Sequence, residues 1–483
     1  MNRARESRIR LWSGASAIFL AEALVIPTGF ATAIYLTRKL GPASYGAFTL
    51  AASLVATVEW TIASMLGRAA LQFLSEAADA VEAAGMVVRI HLLAGCAAAL
   101  LLALAAGLLA TLLGEPALRR HLLLFSLDVP IFAAAQAHRQ VLVGAGAFRL
   151  GALARSARWL TRLGLIVLLV ESGLSVDGAI LATVAASGVE LAVSRVGAKP
   201  SLRPFGPMPG WSTLRYALPL ALFALSLRLF DKLDLLMVKG LGGSLERAGV
   251  YGAAQNLASF PTLLALSISP LLLSSLGQAL RARDRSAADA LARDAFRVVL
   301  VLVPFASLLA GAAPGTVALL FGDAYRGAAP LAAILLFAGM AMVLFSVATA
   351  VLTAEDRAGW TLALAAPLPA LAYAGHAWWI PRVGAIGAAV VTASCSALGA
   401  VAALLVVHRA SGVTVPLATV LRTAGVGAGA YAFGAAAPGG AALVLWLAAG
   451  ALLVPAAYAL LGEIAPEERR ALCAWLRRRA RRP

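Results

Sequence analysis

Apolar runs of about 18 residues or more, separated by short polar segments, occur fourteen times along this chain. Because an α-helix rises 1.5 Å per residue, about 20 apolar residues cross the hydrocarbon core of a bilayer. Helices also satisfy their own backbone hydrogen bonds where no water is present. The runs therefore predict an all-α, polytopic integral membrane protein with about 14 transmembrane helices, near 11–37, 45–66, 86–113, 120–137, 151–170, 177–195, 214–238, 251–279, 297–320, 327–353, 359–380, 383–407, 416–436 and 440–461.

The composition excludes a soluble globular protein. The chain is 61% hydrophobic and 13% charged, whereas soluble domains are about half apolar and a quarter charged. The net charge of +17 would suggest nucleic acid as a partner of a soluble protein. Here the basic residues lie mainly in short loops and at both ends, which is typical of the positive-inside rule. We therefore predict membrane lipids, and not nucleic acid, as partners.

The same basic residues predict the orientation. Both ends are basic, from Arg3 to Arg10 and from Arg469 to Arg482, so both termini are expected in the cytoplasm with an even number of spans between them. The first apolar run is longer than the core of a signal peptide and is expected to be retained. The pair Arg38–Lys39 is an exception, because this orientation places it on the outer side.

Four charged residues interrupt the seventh predicted span: Arg228, Asp231, Lys232 and Asp234. A charge at this depth costs a few kcal/mol, so these side chains are expected to face partners or water. Helical spacing brings Arg228 next to Asp231 and Lys232, and Asp231 next to Asp234. These four charged residues in one span predict an internal polar cavity.

Single acidic residues lie in other predicted spans: Glu22, Glu59, Asp128 and Glu190. A carboxyl group inside the membrane can carry a proton or bind a cation. The alternative is a protonated carboxyl that hydrogen-bonds a neighbouring helix. We assign Glu22, Glu59, Asp128, Asp231 and Asp234 to ion pairing or coupling, and predict no catalytic residue, metal site or cofactor.

Three segments resemble a known family. They are TRKLGPASYGAFTLAASLVATVEW at 37–60, YALPLALFALSLRLFDKLDLLMVKGLG with GVYGAAQNLA at 216–258, and FGDAYRGAAPLAAIL at 321–335. They look like segments of the Wzx-type polysaccharide repeat-unit flippases of the multidrug/oligosaccharidyl-lipid/polysaccharide exporter superfamily. The resemblance covers most of the first ten spans.

The resemblance implies two six-helix bundles around a central cavity, at 1–195 and 214–408, joined by a proline-rich cytoplasmic linker at 196–213. Extra helices would occupy 409–461 and a basic cytoplasmic tail 462–483. It implies alternating access in the bacterial inner membrane and, as cargo, a polyprenyl-diphosphate-linked glycan for lipopolysaccharide or exopolysaccharide. Polysaccharide polymerase and chain-length machinery would be partners.

Such a cargo has an anionic head, which arginine recognises in a bidentate way. Arg155, Arg158 and Arg162 share one face of the fifth span, and Arg228 and Lys232 lie in the seventh. We predict Arg158, Arg162, Arg228 and Lys232 as substrate-binding cations. The alternative for the fifth-span arginines is anchoring at the headgroups.

Other functions remain open on the sequence. A lipid II flippase and a multidrug exporter belong to the same superfamily, and the exporter would need a cavity dominated by acids. A membrane glycan polymerase or ligase is a third reading, but no outer loop gathers a nucleophile and a base. The sequence therefore favours a transporter over an enzyme.

Overall fold

The computed structural model describes residues 24–76, 79–200 and 211–463, and in these ranges the chain is helical without β-strands. The first helices are α1 (Val25–Glu76), α2 (Ala80–Leu112), α3 (Ala117–Ser126), α4 (Asp128–Gly144), α5 (Phe148–Leu169) and α6 (Ser175–Gly197). The middle helices are α7 (Trp211–Gly240), α8 (Leu245–Ala258), α9 (Phe260–Arg281), α10 (Arg285–Gly311), α11 (Ala313–Phe321) and α12 (Ala328–Ala354). The last are α13 (Ala358–Ala365), α14 (Pro367–Val383), α15 (Ala385–Ser411), α16 (Leu417–Ala435) and α17 (Ala442–Leu460).

The all-α membrane fold is confirmed. Seven helical segments in the described ranges are long and apolar enough to cross a membrane. Two of them, Pro27–Gly67 and Phe148–Gly197, contain 41 and 50 residues, which is enough for two crossings each at 1.5 Å per residue. The helical path of the first is interrupted at Gly41 (φ 73°) and that of the second at Gly173 (φ 92°), where glycine adopts a positive φ without steric cost.

Broken helices occupy three of the remaining predicted spans. The break between α3 and α4 lies at Leu127, that between α8 and α9 at Ser259, and that between α13 and α14 at Ala366. Each is followed within three residues by a proline: Pro130, Pro261 and Pro367. Proline lacks the N–H group and fits the first turn of a helix, so it starts a new helix instead of continuing the old one.

Large apolar side chains remain exposed on several helices. On α2, Leu104 is 73% exposed and Leu108 is 62% exposed, and they are four residues apart on one face. An exposed apolar face of this kind is expected to contact lipid tails.

Residues Met1–Asn256 and Leu362–Val391 form one compact unit, which we call unit 1. Within it, α1 and α8 approach closely, because a Cβ atom on Gly46 would overlap the carbonyl of Leu245 and one on Gly249 would overlap the carbonyl of Pro42. Small residues allow such backbone contact between membrane helices. Glycine at 46 and 249 therefore fixes how these two helices pack.

Residues Leu257–Thr361 and Thr392–Pro483 form a second compact unit, unit 2. Here α10 and α16 touch through Gly311 and Gly434, where an added Cβ would overlap the facing backbone. The rings of Phe433 on α16 and Trp446 on α17 stack at 4.6 Å. The two predicted extra helices are thus packed tightly within unit 2, while the predicted domain boundaries stay predictions.

A buried carboxylate joins three elements of unit 2. Glu463, just after α17, accepts hydrogen bonds from Arg297 Nε on α10 (2.8 Å), Thr419 Oγ1 on α16 (2.8 Å) and Arg422 on α16 (2.7 Å). Burial raises the pKa of a carboxyl group, but the bonds from Arg422, Thr419 and Arg297 outweigh it and hold the pKa of Glu463 below its ordinary value of 4.5. The ionised form therefore stabilises the fold.

We expect Glu463→Gln to destabilise the protein by about 1–3 kcal/mol at pH 7, because the two arginines lose a charged partner. A group whose pKa is lowered in the folded state stabilises it above its unfolded pKa and loses this contribution as the pH falls through the folded value. The melting temperature of the wild type should therefore fall more steeply below about pH 4.5 than that of the variant. Glu246→Gln, at an exposed site, is the control, and parallel pH profiles for wild type and Glu463→Gln would refute the role.

Candidate substrate and coupling site

Six charged residues meet inside unit 1, and we call them the inner cluster: Glu59 on α1, Asp128 and Arg139 on α4, Arg158 and Arg162 on α5, and Glu190 on α6. Asp128 is the first residue of α4, directly after the break at Leu127. The break therefore places the carboxyl group of Asp128 in the interior of unit 1. Four helices contribute to the cluster.

Arg158 is at its centre. Its guanidinium lies 3.8 Å from Asp128 Oδ2, 3.6 Å from Glu190 Oε2 and 4.7 Å from the centre of the Phe132 ring. Glu190 also lies 3.4 Å from Arg139 Nε. Carboxylates therefore alternate with guanidiniums along the cluster, which is how buried charges compensate one another.

Hydrogen bonding in the inner cluster is incomplete. The side chains of Asp128 and Glu190 are 1% exposed. Asp128 has Ser187 and Glu59 as hydrogen-bonding neighbours, whereas neither carboxyl oxygen of Glu190 has a hydrogen-bond partner in the described residues. Glu59 Oε1 and Arg158 Nε are also buried, and neither atom has a hydrogen-bond partner in the described residues. An unsatisfied buried polar atom costs about 1–3 kcal/mol, so the cluster is suited to bind water or an ion that supplies the missing partners.

The arginines of α5 share one face, as their spacing predicts. The guanidinium carbons of Arg155 and Arg162 each lie 5.5 Å from the centre of the Trp159 ring, and that of Arg158 lies 5.8 Å from it. Three cations around one indole are held by its electron-rich ring. Arg158 is buried, whereas Arg162 is half-buried.

A second group, the α7 cluster, consists of Arg228, Asp231 and Lys232 on α7 with Trp60 on α1. Asp231 Oδ2 lies 3.0 Å from both Arg228 Nη1 and Lys232 Nζ, and the Arg228 guanidinium lies 5.6 Å from the Trp60 ring centre. The Asp231 side chain is 55% exposed and the two cations about 20%. This cluster is thus partly accessible, with two cations facing one exposed carboxylate.

Asp234 lies within electrostatic range of Asp231 and Lys232, and its hydrogen bonds reach α8. It accepts hydrogen bonds from Tyr251 (2.7 Å) and Gln255 (2.8 Å) of α8, and Asn256 donates to the hydroxyl of Tyr45 on α1 at 2.8 Å. These bonds tie α7 and α1 to α8. Asp231 and Asp234 are also neighbours, as their helical spacing predicts.

Helix α1 contributes to both clusters. Its Tyr45 accepts a hydrogen bond from Asn256 and lies within electrostatic range of Arg162. The same helix carries Glu59, in the inner cluster, and Trp60, in the α7 cluster. One helix therefore contacts both groups of charges.

The predicted residues fall into these groups as follows. Arg158, Arg162, Glu59 and Asp128 lie in the inner cluster; Arg228, Lys232 and Asp231 lie in the α7 cluster; Asp234 lies between α7 and α8; and Glu22 lies outside the described residues. Sequence reasoning missed Arg139 and Trp60. Arg139 lies just beyond the predicted fourth span, and an aromatic residue in a span carries no signal of its own.

The fold matches solved membrane transporters. The lipid II flippase MurJ is 14% identical, covers 93% of this chain and 98% of its own, and has a TM-score of 0.75. A multidrug resistance MATE family transporter of the MOP superfamily is 18% identical over 80% of this chain and 94% of its own, with a TM-score of 0.67. A MOP superfamily transporter from Pyrococcus furiosus is 16% identical over 84% of this chain and 95% of its own, with a TM-score of 0.54.

These similarities define the class: the chain is a multi-pass helical membrane protein with the fold of the MOP superfamily transporters. The sequence profile described as "Polysaccharide biosynthesis protein" matches residues 35–330. The chain therefore belongs to the polysaccharide biosynthesis protein family. No significant match to a curated protein sequence was found.

Proposed function

We propose that this protein is a flippase that moves a polyprenyl-diphosphate-linked oligosaccharide from the inner to the outer leaflet by alternating access. The α7 cluster carries this proposal, because two cations in the predicted seventh span share a single, half-exposed carboxylate. A charged side chain inside a membrane span costs free energy, and such residues usually have a functional role. A diphosphate head offers oxygens to both, and arginine binds phosphate oxygens in a bidentate way.

The inner cluster suits coupling better than direct contact with the cargo. Arg158 is engaged by Asp128 and Glu190 and is only 7% exposed on its side chain. Glu59 lies beside Asp128, so two carboxyl groups compete for the same positive field. In this proposal Glu59 and Asp128 exchange a proton or cation as the cargo moves, and Arg162 faces the cargo from the edge of the cluster.

The proposal places the protein in the bacterial inner membrane with both termini in the cytoplasm, following the positive-inside rule. Family membership supports a role in polysaccharide biosynthesis, and polymerase and chain-length proteins are the proposed partners. The same site could take lipid II, whose flippase shares the fold.

The direct experiment reconstitutes the full chain in vesicles and measures the transfer of a fluorescent prenyl-diphosphate oligosaccharide between leaflets. Protein-dependent transfer is expected, and lipid II and a cationic dye serve as parallel cargoes. Transfer of the dye alone would establish a multidrug exporter. Extension or transfer of glycan in detergent, without any vesicle, would establish an enzyme.

Asp231→Asn is expected to tighten the binding of a soluble diphosphate by roughly tenfold, because the carboxylate no longer competes for Arg228 and Lys232. Titration of the purified protein with inorganic pyrophosphate measures this. The control is Asp323→Asn, since Asp323 makes an i,i+3 pair with Arg326 in which both side chains are 75% exposed. Weaker binding by Asp231→Asn would mean that the carboxylate organises the cations instead of competing for them.

A further inference from the structure

One face of α6 carries buried polar side chains over two helical turns. Ser187, Glu190 and Ser194 are three and four residues apart, so they share this face. Each of the three is at most 1% exposed. Ser187 lies beside Asp128 of α4 and Glu190 beside Arg158 of α5, so the face is directed toward these two helices. Three buried polar residues therefore lead from the inner cluster toward the end of α6.

Several atoms on this face have no hydrogen-bond partner in the described residues. They are both carboxyl oxygens of Glu190 and the hydroxyl oxygen of Ser194. A buried polar atom that is left unsatisfied costs about 1–3 kcal/mol. A water molecule removes this cost at a polar site, because it makes about three hydrogen bonds. The face is therefore suited to hold a row of water molecules.

A buried histidine lies near the far end of this face. His138 on α4 is 2% exposed, and its Nδ1 lies 2.8 Å from the carbonyl oxygen of Ala134. Nδ1 therefore carries the proton of the neutral ring. The basic nitrogen, Nε2, is buried and has no hydrogen-bond partner in the part of the chain that the structure describes. His138 lies within electrostatic range of Arg195, the exposed residue that follows Ser194. The positive-inside rule places this end of α6 on the cytoplasmic side.

The charged side chain that acts on His138 is a cation. Arg195 acts on it from α6, while Arg139, the next residue of α4, lies beside Glu190. His91 is a second buried imidazole, on α2, which packs closely on α4. Uncharged residues of α1 and α2 pack against the same part of α4: Gly67, Ala70, Leu74, Val87 and Val88. A proton on His138 is therefore repelled by Arg195 and attracted by the carboxylates of the inner cluster.

The ion that best fits this face is a proton. Glu190 Oε1 lies 3.4 Å from Arg139 Nε, and Glu190 Oε2 lies 3.6 Å from Arg158 Nη1. A metal ion could bind these oxygens only by displacing a guanidinium group, which would leave a buried cation without its partner. A proton needs only a chain of hydrogen bonds.

We propose that this face of α6, with His138 at its end, is a hydrated path that carries protons between the cytoplasm and the inner cluster. The proposal rests on the proposed function, in which Glu59 and Asp128 exchange an ion as the cargo moves, and it makes that ion a proton. Nε2 of His138 takes the proton from water at the cytoplasmic end. Water beside Ser194 and Glu190 passes it on, and the carboxylate of Asp128 or Glu59 receives it.

The chain contains matched controls for the two residues nearest the cytoplasm. Ser396 on α15 and His376 on α14 are fully buried, and their polar side-chain atoms also have no hydrogen-bond partner in the described ranges. If removal of a buried polar group acts only through stability, these residues should respond like Ser194 and His138. If the face of α6 carries protons, only the Ser194 and His138 variants should slow proton uptake.

The test uses the full chain in nanodiscs and follows the infrared carbonyl band of protonated carboxyl groups after a downward pH jump. The part of the band that is lost in Glu59→Gln/Asp128→Asn reports the inner cluster. Ser194→Ala and His138→Phe should each slow the rise of this part by about tenfold or more and leave its final amplitude unchanged. Ser396→Ala and His376→Phe should show the wild-type rate. Ser194→Ala removes only one oxygen atom, so it tests the path even if His138→Phe does not fold.

The outcomes separate the path from the proposed function. If the inner-cluster band rises at the wild-type rate in Ser194→Ala and His138→Phe, the path is refuted and protonation of the cluster stands. If the wild type shows no such band, the cluster takes up no proton and the path is refuted as well. Equal slowing in Ser396→Ala and His376→Phe would also refute it, because the effect would not depend on this face. Transfer of the glycan lipid in vesicles is measured separately, and only its absence refutes the flippase.

Discussion

The double substitution Arg228→Ala/Lys232→Ala is expected to reduce translocation of the lipid-linked glycan by about a hundredfold or more. Each charged hydrogen bond to the diphosphate contributes about 1.5–3 kcal/mol, and the two cations together account for a loss of this size. Asp231 would also be left without its partners at 3.0 Å, which places a negative charge where the anionic head must pass. Vesicle transfer rates and rescue of a flippase-deficient strain measure the effect.

Two comparisons keep this expectation specific. Arg326→Ala removes an exposed i,i+3 arginine–aspartate pair in unit 2 and should not change transfer. Arg228→Lys keeps the charge but loses the planar fork, so it should retain only part of the activity. Transfer at the wild-type rate by the double variant would remove the α7 cluster from the transport path.

Arg158→Ala is expected to lower the melting temperature of the purified protein by roughly 10 °C, because breaking a buried ion pair from one side costs about 3–5 kcal/mol. The variant leaves Asp128 and Glu190 buried, with their nearest guanidinium removed. It also removes the contact with the Phe132 ring at 4.7 Å. Thermal unfolding in detergent provides the measurement.

The double variant Arg158→Ala/Glu190→Gln should recover part of that loss, since it removes one of the two uncompensated carboxylates. Arg162→Ala is the comparison on the same helix face. Because the Arg162 side chain is only half-buried, its removal should lower the melting temperature less than Arg158→Ala does. An Arg158→Ala protein that melts at the wild-type temperature would show that the inner cluster is hydrated well enough not to need its central cation.

The local parts of these clusters could be predicted from the sequence. Residues three or four apart on a helix are neighbours, so the Arg228–Asp231 pair and the shared face of Arg155, Arg158 and Arg162 follow from spacing alone. The apolar runs likewise predicted an all-α membrane fold, because length and hydropathy determine what can cross a bilayer.

The contacts between helices could not be predicted in the same way. Arg158 meets Glu190, and Glu190 meets Arg139, only because α4, α5 and α6 pack together. Periodicity within one helix contains no information on the neighbour it will face. The same limit explains Asp234, whose partners on α8 depend on the close contact of α8 with α1 at Gly46 and Gly249.

Helix breaks show an intermediate case. Pro130, Pro261 and Pro367 lie one to three residues after the breaks at Leu127, Ser259 and Ala366, and a proline in a span is a local signal for a bend. The sequence did not show that the break at Leu127 would make Asp128 a first-turn residue of α4 and bury it beside Arg158. Lys39 is a similar case. The positive-inside rule identified it as an exception, but its ion-pair partner Glu171 became evident only from the fold.

The most direct test of the central claim is a cross-linking experiment at Trp60, which is 52% exposed and contacts Arg228. A photoreactive phenylalanine analogue at this position, irradiated in vesicles that contain the lipid-linked glycan, should capture the glycan lipid, and inorganic pyrophosphate should reduce the yield. The same analogue at Leu104, 73% exposed on the apolar face of α2, should capture only bulk phospholipid. Equal capture of bulk phospholipid at both positions, with no glycan lipid at Trp60, would contradict the claim that the cations of α7 bind the diphosphate head.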